Sequence, residues 1–207
     1  MSVTRLVRRL RFGSPIVIVS GLPRSGTSMM MKMLAAGGLP LVTDGIRTAD
    51  DSNPEGYFEL EAVKDLDKGP ARGDLRWLAG ARGRGVKILS PLLTYLPDAY
   101  NYRVIFMQRP LAEVIASQDV MLTRAGERTD VAPRERVLQE CEVHLRGVQT
   151  LLARRPCFET LFVEYGDVIT DPRAAAARIA TFDGLGPRAP EAMAAAVNER
   201  LYRQRQA

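Results

Sequence analysis

An uninterrupted apolar run, Ile16–Ser20 (IVIVS), has the pattern of a buried strand. Thr27–Ala36 (TSMMMKMLAA) follows it with helical character and meets a stop at Gly37-Gly38. Val86–Leu89 and Arg103–Met107 are two further short apolar runs, each suited to a central strand. Pro110, at a first helical position, opens a helix carried by Leu111, Val114, Ile115 and Gln118 to about Leu122. A long helix follows Pro133, with Val137, Cys141, Leu145, Val148 and Leu152 at helical spacing. Phe158–Val163 reads as a last strand, and two alanine-rich helices close the chain. Strands alternating with helices predict an α/β fold in three layers, a central, mainly parallel sheet flanked by helices.

Between these elements, residues 40–57 carry Pro40, Gly45, Asn53, Pro54 and Gly56 and read as a long loop, and a short helix covers Leu60–Asp67. Residues 69–85, rich in Gly and Arg, read as a surface connection around one helical turn holding Trp77. There is no internal repeat and no low-complexity linker. The expectation is one domain over residues 1–207, with 1–13 as a basic N-terminal arm.

Charge adds one bias to this picture. The chain has 29 Lys and Arg against 24 Asp and Glu, a net +5, which favours anionic ligands. Arg5, Arg8, Arg9 and Arg11 supply much of the excess, and that arm reads as a solvated segment. A basic start before an apolar run resembles a secretory leader, but Ile16–Val19 is far shorter than the roughly 7–15 residues of a leader core. The reading is therefore cytoplasmic, with no membrane span. Cys141 and Cys157 lack metal-ligand spacing and His144 is the lone histidine, so no metal site is expected. His144 lies between Glu142 and Arg146 and reads as part of a charged surface helix. Aromatic residues make up 6% of the chain and no basic-aromatic stripe occurs, which disfavours a nucleic-acid partner.

The candidate chemistry is in "PIVIVSGLPRSGTS", Pro15–Ser28. A strand, a turn with Gly21 and Gly26, and a helix start make a phosphate loop (P-loop), where backbone N–H groups and the helix dipole converge on an anion. The lysine that reaches a triphosphate is absent, because Thr27 stands in its place. The strands end in Leu89-Ser90, Gln108-Arg109 and Val163-Glu164, of which only the last is acidic, so a metal-dependent NTPase is disfavoured. Instead a cation, Arg24, lies inside the turn with hydroxyls at Ser25, Thr27 and Ser28.

"GLPRSGTS" resembles the 5′-phosphosulfate loop of sulfotransferases that use 3′-phosphoadenosine-5′-phosphosulfate (PAPS). A second motif supports the resemblance. In "VIFMQRPLAEVIASQ", Arg109 ends a strand and Ser117 follows eight residues later, similar to that family's site for the donor's 3′-phosphate. Leu161–Gly186 resembles its strand-then-helix segment, and the likeness spans about residues 14–186. It implies sulfuryl transfer from PAPS to a hydroxyl or amine of a small-molecule, glycan or peptide acceptor, leaving adenosine 3′,5′-bisphosphate and using no metal. A homodimer stays open.

By that resemblance Arg24, Ser25, Gly26, Thr27, Ser28, Arg109 and Ser117 bind the donor. Arg24 also meets the group in flight, and Lys87 of "KILSP" matches a catalytic lysine. Leu89 occupies the place of the family's catalytic histidine, so the proton acceptor is sought in "DDSNPEGYFELE", as Glu59 or Glu55. The family's basic C-terminal loop has no counterpart other than Arg200, Arg203 or Arg205. Two alternatives remain: a sulfotransferase-like nucleotide-binding protein without catalysis, and a P-loop small-molecule kinase.

Overall fold

A computed structural model describes residues 3–46, 56–69, 74–125 and 133–198. Its frame is a sheet of four parallel strands, β1 (Ile16–Gly21), β2 (Gly85–Lys87), β3 (Tyr102–Gln108) and β4 (Phe158–Glu164), in the order β2-β1-β3-β4. Helices α1 (Val3–Phe12), α2 (Thr27–Ala36), α3 (Trp77–Gly80), α4 (Leu111–Ala125), α5 (Arg134–Arg154), α6 (Tyr165–Thr170), α7 (Pro172–Asp183) and α8 (Ala189–Ala195) complete it, with 3₁₀ helices at Glu61–Lys68 and Ser90–Tyr95. The α/β class and the parallel sheet agree with the hydrophobic pattern, and α2 has the predicted bounds.

Strand pleating divides the core into two layers, because successive side chains point to opposite faces. Val17, Val19, Ile105 and Met107 pack against Met30, Met33 and Leu34 of α2, Ile179 of α7 and Met193 of α8. Ile16, Ile18, Val86, Ile88, Val104 and Phe106 pack on the other face against Leu66, Leu78, Leu93, Val148 and Leu152. Every position of β1 is buried, which is why it reads as a continuous apolar run rather than an alternating one.

The strand order reverses at β1: the chain leaves it toward β2 on one side and returns to β3 on the other. In such sheets ligands bind in the crevice at the carboxyl ends of the strands flanking the reversal. That crevice lies between Gly21 and Gln108, the ends of β1 and β3, and both phosphate-binding candidates issue from it.

Three expectations change. Residues 3–12 form the helix α1, pinned on one side, where Arg8 donates to the carbonyls of Asp98 and Tyr100 and to the Asn101 side chain, and solvated on the other. The strand expected over Val86–Leu89 spans Gly85–Lys87; the Ile88 N–H still reaches the Val19 carbonyl, and the chain then turns into the 3₁₀ helix from Ser90. The short helix near Leu60 is 3₁₀ over Glu61–Lys68. Of the long loop, 40–46 and 56–57 are described; Glu55 and Arg200, Arg203 and Arg205 lie outside the described residues.

Candidate anion-binding site

The turn after β1 is held in a shape that other residues resist. Gly21 has φ 145°, and a Cβ there would come within 2.4 Å of Ser25 Oγ and 2.7 Å of the Met107 carbonyl oxygen. Gly26, the residue before α2, has φ 100°, and a Cβ there would sit 2.4 Å from the Tyr165 ring. Arg24 itself adopts φ 70°, a left-handed conformation that costs a non-glycine residue about 1–3 kcal/mol. The turn closes through the Ser25 N–H on the Leu22 carbonyl, and the Met30 N–H returns to Gly26 as α2 begins. Four N–H groups at a helix start have no partner within their own helix, so the first turn of α2 presents donors toward the crevice.

Ser25 and Thr27 are buried in this turn, and Ser25 Oγ has no hydrogen-bond partner among the described residues. A buried hydroxyl without a partner costs free energy, and an anion in the loop satisfies it. The glycine cradle and this hydroxyl fit a bound phosphate ester.

The structure joins the two sequence motifs into one constellation. Arg24 Nε donates to Ser117 Oγ at 3.0 Å, and an Arg109 terminal nitrogen donates to the Arg24 carbonyl at 3.1 Å. The Gln118 amide reaches the Pro23 carbonyl at 3.4 Å, a third link between loop and α4. Arg109 lies 4.7 Å over the Tyr165 ring, the ring that also closes on Gly26.

One member was missed. Glu113 pairs with Arg109 at 2.9 Å, with both side chains nearly fully buried. The spacing of four was visible in "RPLAE", from Arg109 just before α4 to Glu113 in its first turn. A buried guanidinium is tolerable because this carboxylate compensates it. Arg109 is thereby fixed with its fork against the loop.

On the other side of β1, Lys87 is buried at the end of β2; its ammonium donates to the Tyr57 carbonyl and to Glu59 Oε1, the latter at 3.3 Å. The structure therefore brings together Lys87 and Glu59, both expected at the site, although 28 positions separate them. Beyond the same strand end, Ser90 Oγ shares a hydrogen bond of 2.8 Å with His144 Nε2. His144 is thus half-buried against the second layer, not on an open charged face, and burial lowers its pKa below the ordinary histidine value. Its signal was only the apolar spacing of α5, which continues through Leu145 and Val148.

Among the described residues no group of three His, Cys, Asp or Glu side chains is placed to hold a metal, and no helix is long and apolar enough to cross a membrane. A cavity of about 290 Å³ lies elsewhere, between the end of β4, α6 and α7, lined by Val163, Asp167, Thr170, Asp171, Ala174 and Arg178. It shares no residue with the loop.

A glycine-bounded loop at the reversal point of a parallel sheet flanked by helices places the chain in the α/β class. Comparison with known proteins sharpens this at the level of fold. The sulfotransferase domain of the Synechococcus PCC 7002 olefin synthase is similar over 86% of this chain and 76% of its own, with TM-score 0.52 and 22% identity. The sulfotransferase domain of the curacin biosynthetic pathway is similar over 91% and 89%, with TM-score 0.53 and 15% identity. A sugar kinase from Janibacter sp. HTCC2649 aligns at TM-score 0.42 and 15% identity, covering 85% and 98%, a likeness too loose to bear on chemistry. No family model and no curated protein sequence matches the chain.

Proposed function

We propose that the chain is a PAPS-dependent sulfotransferase acting on a hydroxyl or amine. The observation that carries the reading is the direct bond between Arg24 of the loop and Ser117 of α4, with Arg109 on the Arg24 carbonyl. Two anion motifs locked together suit a donor with two anionic ends, and the absent lysine suits one without a γ-phosphate. The sulfotransferase domains of similar fold support the same reading.

PAPS, when bound, supplies an activated sulfuryl group whose S–O bond to the 5′-phosphate breaks as the acceptor's oxygen or nitrogen bonds to sulfur. The loop amides with Ser25, Gly26, Thr27 and Ser28 hold the 5′ end, and Arg24 places positive charge on the transferring oxygens. Arg109 and Ser117 hold the 3′-phosphate. Lys87 sets Glu59 beside the β2 strand end, where Glu59 takes the acceptor's proton. His144, whose pKa burial lowers, is the second group at that strand end able to do so.

The Lys87–Glu59 pair also favours a second reading, nucleotide binding without transfer, because one Glu59 carboxylate oxygen is already engaged by the buried Lys87 ammonium. One measurement tests what the readings share and a second separates them. Adenosine 3′,5′-bisphosphate raises the melting temperature under both, whereas ATP with Mg²⁺ does so only for a kinase. Transfer of labelled sulfate from PAPS to an acceptor panel, lost in Arg24→Ala, holds only for the enzyme.

A further inference from the structure

Three of the seven large apolar side chains exposed among the described residues stand on one helix of ten residues, α1: Leu6 at 51%, Val7 at 56% and Leu10 at 82% exposure. At about 100° of turn per residue they form one stripe. Arg8 and Phe12 lie on the opposite side of the helix, and that side is fastened down. Arg8 donates to Asn101 Oδ1 and to the carbonyls of Asp98 and Tyr100, the Asn101 amide returns to the carbonyls of Arg8 and Gly13, and Arg82 donates to the Phe12 carbonyl. The stripe therefore faces straight away from the protein body. Arg9 and Arg11, both exposed, flank it on its two sides, and no acidic residue occurs in α1. Exposed Arg82 and Arg84 add positive charge at the same end of the sheet.

We propose that α1 is a docking element for an anionic lipid surface, lying in the interface with Leu6, Val7 and Leu10 among the acyl chains and Arg9 and Arg11 at the headgroups. An apolar stripe edged by arginines is the arrangement such helices need. Charge and area select lipid over a protein. Three side chains offer a few hundred Å² at most, against the roughly 1,200 Å² that a stable protein interface buries. At a membrane the flanking arginines supply the remainder, each attracted to anionic lipid. The helix adjoins Gly13, Arg82 and Asn101, which precede β1, β2 and β3. It thus sits at the amino ends of the strands, opposite the anion loop, so a docked molecule presents Gly21–Ser28 to the solution.

The test is co-sedimentation of the full chain with vesicles of phosphatidylcholine alone and of phosphatidylcholine mixed with phosphatidylglycerol. Binding is expected only to the mixed vesicles and is expected to weaken with added salt. Leu10→Glu should lower the partition coefficient about tenfold. Arg9→Glu with Arg11→Glu should lower it about a hundredfold. Circular dichroism and the melting temperature should stay at wild-type values, because these side chains face solvent. Absence of sedimentation with mixed vesicles overturns the proposal, as does binding that Leu10→Glu leaves unchanged. Light scattering that finds a dimer dissolved by Leu10→Glu also overturns it, since a second copy then covers the stripe.

Discussion

The two sides of β1 are built differently. Toward β3, the loop and α4 are cross-bonded through Arg24, Ser117, Arg109 and Gln118, with a buried ion pair behind them. Toward β2, two separate pairs, Lys87–Glu59 and Ser90–His144, bring side chains from a loop, a strand end and a distant helix. The first side has the character of a fixed receptor for one ligand. The second has titratable groups, Glu59, Lys87 and His144, grouped at the end of β2. Binding and chemistry are therefore separable by mutation, and each variant below addresses one side.

Arg24→Ala should have the largest effect, lowering sulfuryl transfer by about 10²–10³-fold, the scale of removing one transition-state donor. Steady-state transfer of labelled sulfate checks it. Gly26→Ala should destabilise the fold by about 2–3 kcal/mol, because its Cβ meets the Tyr165 ring at a positive φ. Denaturant unfolding reads this, and Gly38→Ala, with nothing within 4 Å of its Cβ, should cost less.

On the β2 side, Glu59→Gln should lower kcat about ten- to hundredfold while affinity for adenosine 3′,5′-bisphosphate changes less than about twofold. His144→Gln sharpens the assignment. If His144 takes the proton, the acid limb of the pH–rate profile lies below the ordinary histidine value and vanishes in this variant; if Glu59 does, the limb survives it.

A further effect, on stability alone, lies outside both sides and bears on how that limb is read. Asp183 is half-buried, with both carboxylate oxygens shielded from solvent and without hydrogen-bond partners among the described residues, and this desolvation raises its pKa from 3.8 to about 7. The folded state thus holds a proton that the unfolded state has released. The contribution of Asp183 to stability is fully present below pH 4 and declines as pH rises toward 7, on the order of 1 kcal/mol per pH unit. Asp183→Asn should flatten this decline, measured as melting temperature against pH.

The contrast between the two sides also accounts for what the sequence made legible. The β3 side is carried by two local motifs, a glycine-bounded turn after an apolar run and an arginine eight residues before a serine at a strand-to-helix junction, each legible by itself although the contacts that join them span 85 to 95 positions. Even Glu113 was within reach, one turn from Arg109. The β2 side depends on contacts between positions 28 and 54 residues apart, for which periodicity carries no signal. His144 looked solvated because its sequence neighbours Glu142 and Arg146 are charged, whereas its contact is decided by α5 packing near the 3₁₀ helix at Ser90. The helix α1 was hidden for a related reason. Its apolar residues face away from the core, so they did not register as a buried face, and its anchoring falls to Arg8 and to Asn101, far along the chain.

The central claim is that the loop and the Arg109–Ser117 helix form one site for a doubly anionic nucleotide. Calorimetry with adenosine 3′,5′-bisphosphate tests it most directly. Arg109→Ala alone strands the buried Glu113 carboxylate, so Arg109→Gln combined with Glu113→Gln is the variant of choice. The account predicts wild-type binding that weakens at least about tenfold in this double variant, as expected when a charged hydrogen-bonding partner of the ligand is removed. Wild-type affinity in the double variant, with its fold intact by circular dichroism, contradicts it.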